Sequence, residues 1–467
     1  MALRRAQQKQ GVPILRRPLS RVGTFQRNRA TSVSLPAPVG GWNARDSLAD
    51  MPKEDAVTLI NLFPSTTSVN VRSGYTQYST GYTSQVETLM AYAGSTTTKL
   101  KAISGTSVYD ATAGGAIGAA ELTGLSNARW QYVNLTTSGG SFIEMCNGTN
   151  GVYTYNGTTW TDQSASITGV TAANLININV FKNRVWFCEV GTLKAWYLPT
   201  QSITGAANAL DLSAFAPHGG YLMAMGTWTI DAGYGVDDLA VFITNNGDVL
   251  VYRGTDPSSA STWALVGVWW LGSPIGRRCF VKWKGELLLI CQDGLLPLSG
   301  ALQSSRLNPR VSLTDKIQSQ MSAAVTDYSA NFGWEVLPYP NQNMLVMNIP
   351  ITTGNSQEQY VMNTITGSWC QFQGWNANCF ALYNDDLYFG SSTYVGKAWN
   401  TAEDAGGSIF IDGLQAFSYF GSRGQLKRFT MIRPMLLINS TQQVNANMNV
   451  DFDQTAPASA IGTVTFS

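Results

Sequence analysis

Charge is what this chain has least of. Only 13% of its 467 residues are Asp, Glu, Lys or Arg, about half the share usual in soluble domains. So uncharged a surface dissolves badly as a free monomer, and much of it is expected to lie covered by copies or partners. Histidine is almost missing: His218 stands alone, in Ala216-Pro-His-Gly-Gly220. One imidazole excludes clusters of histidine metal ligands and leaves Ser-His or Cys-His catalysis without support. His218 reads as a loop residue. The six cysteines (Cys146, Cys188, Cys279, Cys291, Cys370, Cys379) show no CxxC spacing, so they read as buried free thiols made in a reducing compartment. Apolar runs stay well short of the roughly 20 residues that cross a bilayer. The basic N-terminus lacks the apolar core of a secretory signal. Asn245-Asn-Gly-Asp248 and similar Gly pieces lack the Lys-Ser/Thr of a phosphate loop.

What the chain has in quantity is glycine (45 residues), tryptophan (14) and tyrosine (19). That mixture suits many short strands joined by tight turns and disfavours helical bundles. One phrase returns along the chain: an apolar strand, a Gly or Asn turn, then a strand bearing an aromatic. It occurs at Lys101–Tyr109, Phe142–Tyr153, Val180–Phe187, Val241–Tyr252, Val281–Ile290 and Phe380–Phe389. Each is predicted to be a hairpin with a short turn. Tyr155-Asn-Gly-Thr-Thr-Trp160 and Thr366-Gly-Ser-Trp369 look like further hairpins at the outer side of the same units. Irregular recurrence of this phrase argues for an all-β fold, a β-propeller of five to seven blades with insertions. A jelly roll or a pair of sandwiches is the structural alternative.

Other segments fall outside that phrase. Residues 1–35 carry Arg4, Arg5, Lys9, Arg16, Arg17, Arg21, Arg27 and Arg29 with no acid among them, leaving −7 for the rest of a chain whose net charge is +1. Gly11, Pro13, Pro18 and Gly23 forbid a long helix there, so this is an extended arm. It reads as a solvated tail, a docking arm that orders on a ring neighbour or beside DNA, or a mitochondrial leader. In Gly40-Gly-Trp-Asn, the glycines allow Trp42 to be presented from a sharp turn. Pro52 with Glu54 and Asp55 suggests one helical turn running into a strand, and Val69 and Val71 alternate with Asn70 and Arg72 as a half-buried strand. Leu313, Ile317 and Met321 mark one face of a helix over 312–325 with a Ser or Thr cap, packed on the rim. Residues 424–434 and 447–453 alternate as strands, which puts Asp451 and Asp453 on one face; a solvated pair or a neighbour's arginine explains them better than a metal.

The order Gly-Gly-Trp-Asn, Asp, a Pro-led acidic segment, Leu59-Ile-Asn-Leu-Phe-Pro64, then Val69-Asn-Val-Arg-Ser-Gly-Tyr75 resembles the opening of tail proteins of short-tailed bacteriophages. Those proteins form the nozzle, or head-completion plug, that stabilises packaged DNA. Thr314-Asp-Lys-Ile317, and near the C-terminus Lys427-Arg-Phe429, Arg433-Pro434 and Asn449-Val-Asp-Phe-Asp453, resemble later parts of the same family. The middle of the chain offers only generic blade phrases. The resemblance implies a virion tail protein assembled in the host cytoplasm, a six-fold ring below the adaptor ring. It would neighbour tail fibres or spikes and pass viral double-stranded DNA through its channel. It implies a propeller over 85–423, with a small platform built from the terminal segments 36–84 and 424–467. Trp42, Arg72, Tyr75, Arg428, Arg433, Asp451 and Asp453 are then the platform residues, and the eight arm cations the docking residues. No catalytic, cofactor or metal residue is expected, and the chain is read as no enzyme. The competing function is a propeller that binds or cleaves host glycan during adsorption; against cleavage, the repeated Ser-x-Asp-x-Gly-x-Thr-Trp box of sialidase blades is missing. With no ligand cluster whose metal could feed folding, a chelator is expected to leave the melting temperature unchanged. A clear drop in calorimetry would overturn that.

Overall fold

The computed structural model describes residues 31–231, 236–303, 311–438, 442–456 and 462–464. Residues 1–35 form a unit separate from 36–467, and the eight arm cations lie outside the described residues.

Hairpins build the larger unit, and local turn chemistry sets them. Lys182 and Asn183, Lys284 and Gly285, and Asn384 and Asp385 all have positive φ, the paired geometry of a tight turn that matches strand twist. The first of these fixes Phe181 opposite Arg184 and Asn179 opposite Trp186. Meandering antiparallel strands then form seven sheets. Blade 1 is Val86–Ala93, Thr98–Ser104 and Ser107–Asp110, and blade 2 is Gln131–Thr137, Gly140–Cys146, Val152–Tyr155 and Trp160–Asp162. Blade 3 comprises Leu175–Phe181, Arg184–Glu189, Lys194–Tyr197 and Asn208–Asp211; blade 4 comprises Leu222–Asp231, Val236–Thr244, Asp248–Gly254 and Trp263–Trp270. Blade 5 has three strands, Phe280–Trp283, Glu286–Cys291 and Gly294–Pro297. Blade 6 is Glu335–Tyr339, Met344–Thr352, Ser356–Asn363 and Trp369–Gln373. Blade 7 takes Cys379–Tyr383, Asp386–Gly390 and Tyr394–Thr401 from late in the chain and Gly74–Thr80 from its beginning. The first strand of each blade packs on the first strand of the next, and that of blade 7 returns to blade 1. The ring closes. This is a seven-bladed β-propeller, the upper end of the range read from the sequence.

Every one of the six hairpin phrases falls in a different blade, and the two outer phrases are the third turns of blades 2 and 6. Between blades the expected aromatics form the core. Trp186 stacks on Trp263 with centroids 5.5 Å apart, and Trp263 on Tyr252 at 5.5 Å. All six cysteines are buried free thiols.

Several expectations need correction. The strand Gly74–Thr80, placed by the sequence reading in a platform over 36–84, belongs to the propeller because it pairs with Tyr394–Thr401. No helical turn follows Pro52. A single turn, Asp55 N–H to the Pro52 carbonyl at 3.0 Å, leads directly into the strand Asp55–Ile60, whose pairing with Asp412–Gln415 and with blade 6 overrides helix-like spacing. Trp42 turns inward, edge-on to Tyr360 at 5.1 Å. Alternation near Val71 is inverted: Val71 is 50% exposed and Arg72 is 1% exposed, because a bidentate partner outweighs the side chain's hydration. The helix begins at Gln318 and runs to Tyr328, after a 3-10 turn over Asp315–Ile317, with no side-chain cap. Thr314 instead spends its hydroxyl on Ser312 Oγ at 2.7 Å and on Leu295 N–H of blade 5. This wedge helix packs Met321, Ala324 and Val325, with Ile317 of the turn before it, into one core with residues of blades 5 and 6, beside the three-stranded blade. Neither 424–434 nor 447–453 is a strand; Asp451 and Phe452 adopt left-handed φ of 54° and 61°, which breaks the alternation. Instead Asp412–Gln415, and a small pair Gln442–Val444 with Gly462–Val464, are the C-terminal strands.

Arg72 fastens the closing strand. Its guanidinium donates to Asp404 Oδ1 at 2.9 Å and Oδ2 at 2.5 Å, to Asn61 Oδ1 at 2.8 Å and to the Gln373 carbonyl. It lies 5.2 Å from the centre of the Trp375 ring. Breaking a buried pair strands the remaining charge, so Arg72→Met is expected to lower the unfolding free energy by about 3–5 kcal/mol in urea titration. Loss below about 1 kcal/mol, the value of a surface pair, would show that this joint does not hold the ring.

Candidate functional site

The Gly40–Asp55 stretch folds into a polar latch. Gly41 has φ 83° and a Cβ there would sit 2.6 Å from the Trp369 carbonyl oxygen, while one on Gly40 would strike Asp55. Only glycine lets this turn press against blade 6. Beneath it Asn43 Nδ2 donates to Asp55 Oδ2 and Asp46 Oδ2, both at 2.8 Å. Lys316, from the segment before the wedge helix, donates to Asp55 Oδ1 at 2.6 Å and to the Gly40 carbonyl at 2.7 Å. Arg45 bridges Asp46 and Asp315, and its hydrogen bond holds the Asp46 carboxyl below the usual carboxylate range. Asn43 and Asp55 are 1% and 2% exposed. The motif and the Thr314-Asp-Lys-Ile317 segment, distant in sequence, thus meet in one fastening. Their chemistry is structural.

From this latch the C-terminal chain departs. Asp412–Gln415 pairs antiparallel with Asp55–Ile60, Gln415 Nε2 donates to the Pro36 carbonyl, and Arg423 reaches Asp50. Beyond Arg423 the described chain keeps few partners: Phe429 packs on Phe420 with centroids 5.3 Å apart, and Phe452 on Phe417 at 5.2 Å. No backbone–backbone hydrogen bond involves the described residues 424–438. Yet this stretch carries Leu426, Phe429, Met431, Ile432, Met435, Leu436 and Leu437, of which Met431 and Met435 are 83% and 82% exposed and the two outermost leucines fully so. Phe410 and Ile411, just before the strand Asp412–Gln415, are exposed as well. Monomers seldom leave so much contiguous apolar surface in water.

The anticipated platform residues therefore divide. Trp42, Arg72 and Tyr75 are buried at blades 6 and 7, Tyr75 Oη bonding Tyr394 Oη at 2.9 Å. Arg428, Arg433, Asp451 and Asp453 are exposed on the departing chain. Asp453 Oδ1 accepts from Thr455 and is lowered below the ordinary range by that bond.

The axial end of the ring holds a cluster that sequence reading missed. Arg278, just ahead of blade 5, crosses to the Glu87 carbonyl at 3.1 Å and Thr88 Oγ1 at 2.9 Å in blade 1. It also reaches the Trp130 carbonyl at 3.2 Å and Glu335 Oε2 at 3.4 Å. Burial raises the Glu335 carboxyl, with Arg278 opposing. Phe332 lies between the guanidiniums of Arg129 and Arg278, 4.5 and 5.2 Å from its centre, and Arg129 pairs with Glu87 at 2.9 Å. One side chain thus ties the segment before blade 5 to blades 1 and 6 and to the segment before blade 2. The signal was Arg277-Arg278 inside an apolar stretch.

No group of three or more His, Cys, Asp or Glu positioned for a metal occurs among the described residues. Nor is any helix there long and apolar enough to cross a membrane. His218 does sit in a loop: its backbone N–H donates to Asp248 Oδ2 at 2.9 Å, and its ring stacks on Trp270 at 5.0 Å.

No family model and no curated protein matches the sequence. Among solved structures, the WD40 β-propeller domain of Doa1 is similar at 11% identity, TM-score 0.40, covering 70% of this chain and 97% of that one. BBS1N in complex with ARL6DN is similar at 9% identity, TM-score 0.43, over 72% and 100%. A quinoprotein alcohol dehydrogenase-like protein from Bacteroides thetaiotaomicron matches at 10% identity, TM-score 0.34, over 59% and 63%.

Because residues beyond Arg423 add little to the core, a chain ending at Arg423 is expected to keep its unfolding free energy within about 1 kcal/mol of the full chain, as changes outside the core do. A larger loss in urea titration would assign the segment to the fold.

Proposed function

We propose that this chain is a structural subunit of the tail nozzle, or head-completion ring, of a short-tailed bacteriophage, and that it is not an enzyme. The observation that carries this reading is the exposed apolar segment 424–438, leaving the latch in which the phage-like motif and Thr314-Asp-Lys-Ile317 meet. Such a surface is stable only when covered, and a closed ring of copies covers it without making fibres. The arm, with eight cations, docks on acidic protein of the adaptor or of a neighbouring subunit. The wall stays loose on the genome because the rest of the chain is net negative, whereas dense phosphate neutralisation would slow passage. Fibres or spikes adjoin this ring in the virion.

The test is to supply three proteins to particles lacking the native one: full chain, chain without residues 1–30, and chain ending at Arg423. The full chain is expected to restore a coaxial ring with a central hole in negative-stain images, and DNA retention. Both truncations should stay folded but fail to incorporate, with salt weakening the arm's docking. Normal incorporation of the arm-less chain with leakage of DNA would make the arm a DNA clamp. A trimeric or monomeric glycan binder that forms no ring would overturn the nozzle assignment.

A further inference from the structure

Glu144, in the second strand of blade 2, is 0% exposed, and neither of its carboxyl oxygens has a hydrogen-bond partner. Ile143 and Met145 on this strand join the core toward blade 1, while Cys146 joins the core between blades 2 and 3. By strand alternation Glu144 faces that second seam. The seam is lined with Val152, Leu175, Ile178, Val185 and Phe187. Glu144's neighbours across its own sheet are Val133 and Thr154, the latter's hydroxyl accepting from Gln163 Nε2 at 3.0 Å.

The ionisable groups facing this seam are few. On the same strand is Cys146, whose thiol feels Glu144, Arg277 and Cys188 and is itself pushed up by burial. Arg277, from the segment before blade 5, donates to the Asn147 carbonyl at 3.1 Å. On blade 3, Glu189 lies at the strand end, accepting from Trp196 Nε1 at 3.0 Å, and Lys194 shares the strand face of Trp196. None bonds Glu144. An ionised carboxylate without donors in such a place is far costlier than a neutral acid, and burial accordingly raises the Glu144 carboxyl well above the usual range.

We propose that Glu144 is a protonation-dependent fastener: carrying its proton it fills the seam between blades 2 and 3 as a neutral side chain, and surrendering that proton to water opens this seam before the rest of the ring. The sign follows from the raised proton affinity of the closed state. Stability from this group is fully present below the ordinary glutamate range and is lost as pH rises toward the closed-state value. One proton leaves per opening, so the opening equilibrium grows roughly tenfold per pH unit in that window.

Cys146 reports the opening, because it shares the face of Glu144; Cys370, buried in blade 6, is the internal reference. The full chain is labelled with iodoacetamide from pH 6 to 8.5, and each cysteine is quantified by peptide mass spectrometry. Cys146 labelling is expected to rise about tenfold per pH unit more steeply than Cys370 labelling. In Glu144→Gln, and in Glu144→Met should the amide variant not fold, the excess slope should vanish. Parallel slopes for the two cysteines in the native chain would overturn the proposal, as would an excess that survives in either variant. If neither variant folds, the native slopes decide alone.

Discussion

A closed ring depends on the joint where its two ends meet. Here that joint is blade 7, where Gly74–Thr80 pairs with Tyr394–Thr401 across most of the chain. Opening it would bare apolar faces of blades 7 and 1 to water, so the joint draws on the burial energy of the whole circle. Arg72 explains why the strand stays: Asp404 and the Gln373 carbonyl reach it only once the ring has closed, while Asn61 holds it from across the local hairpin of Leu62–Pro64 and Val69–Val71. The Gly40–Asp55 latch and the wedge helix then build outward from the same edge.

The shortage of charge finds a spatial explanation in this arrangement. Charges that remain are largely committed: Lys101, fully buried, pairs with Asp110 and Glu121, Arg278 with Glu335 across the axis, and Lys316 with Asp55 in the latch. The departing C-terminal chain leaves most of its apolar side chains facing water; among the described residues Phe429 packs on Phe420 and Phe452 on Phe417. Glu144 is the opposite case, a polar group enclosed by the fold and given nothing to bond. Both are local conflicts inside an otherwise consistent fold, and such conflicts concentrate where function or assembly draws on them.

Much of the propeller was legible in the chain itself, because blade hairpins are local objects. Asn-Asp, Lys-Asn and Lys-Gly turns with apolar strands on both sides specify pairing between residues a few positions apart. Blade 6 showed only its outer turn, Thr366–Trp369, for the same reason. Its first turn runs through Pro340, Asn341 and Gln342 as a 3-10 turn with Pro338 inside the preceding strand, so no two-residue signal marks it. The motif residues Gly40, Gly41, Trp42 and Asn43 stood out too, though their inward role did not. What tertiary structure alone decided is non-local. Parity near Val71 inverted because Asp404 waits for Arg72; Asp55 left a helix-like spacing because strands on both sides claimed it. The alternating residues 424–434 formed no strand because the chain supplies no partner edge. Alternation and turn residues state which segments can pair, but which charge is buried, which strand is shared and which apolar face stays open depend on groups brought together only when the ring closes.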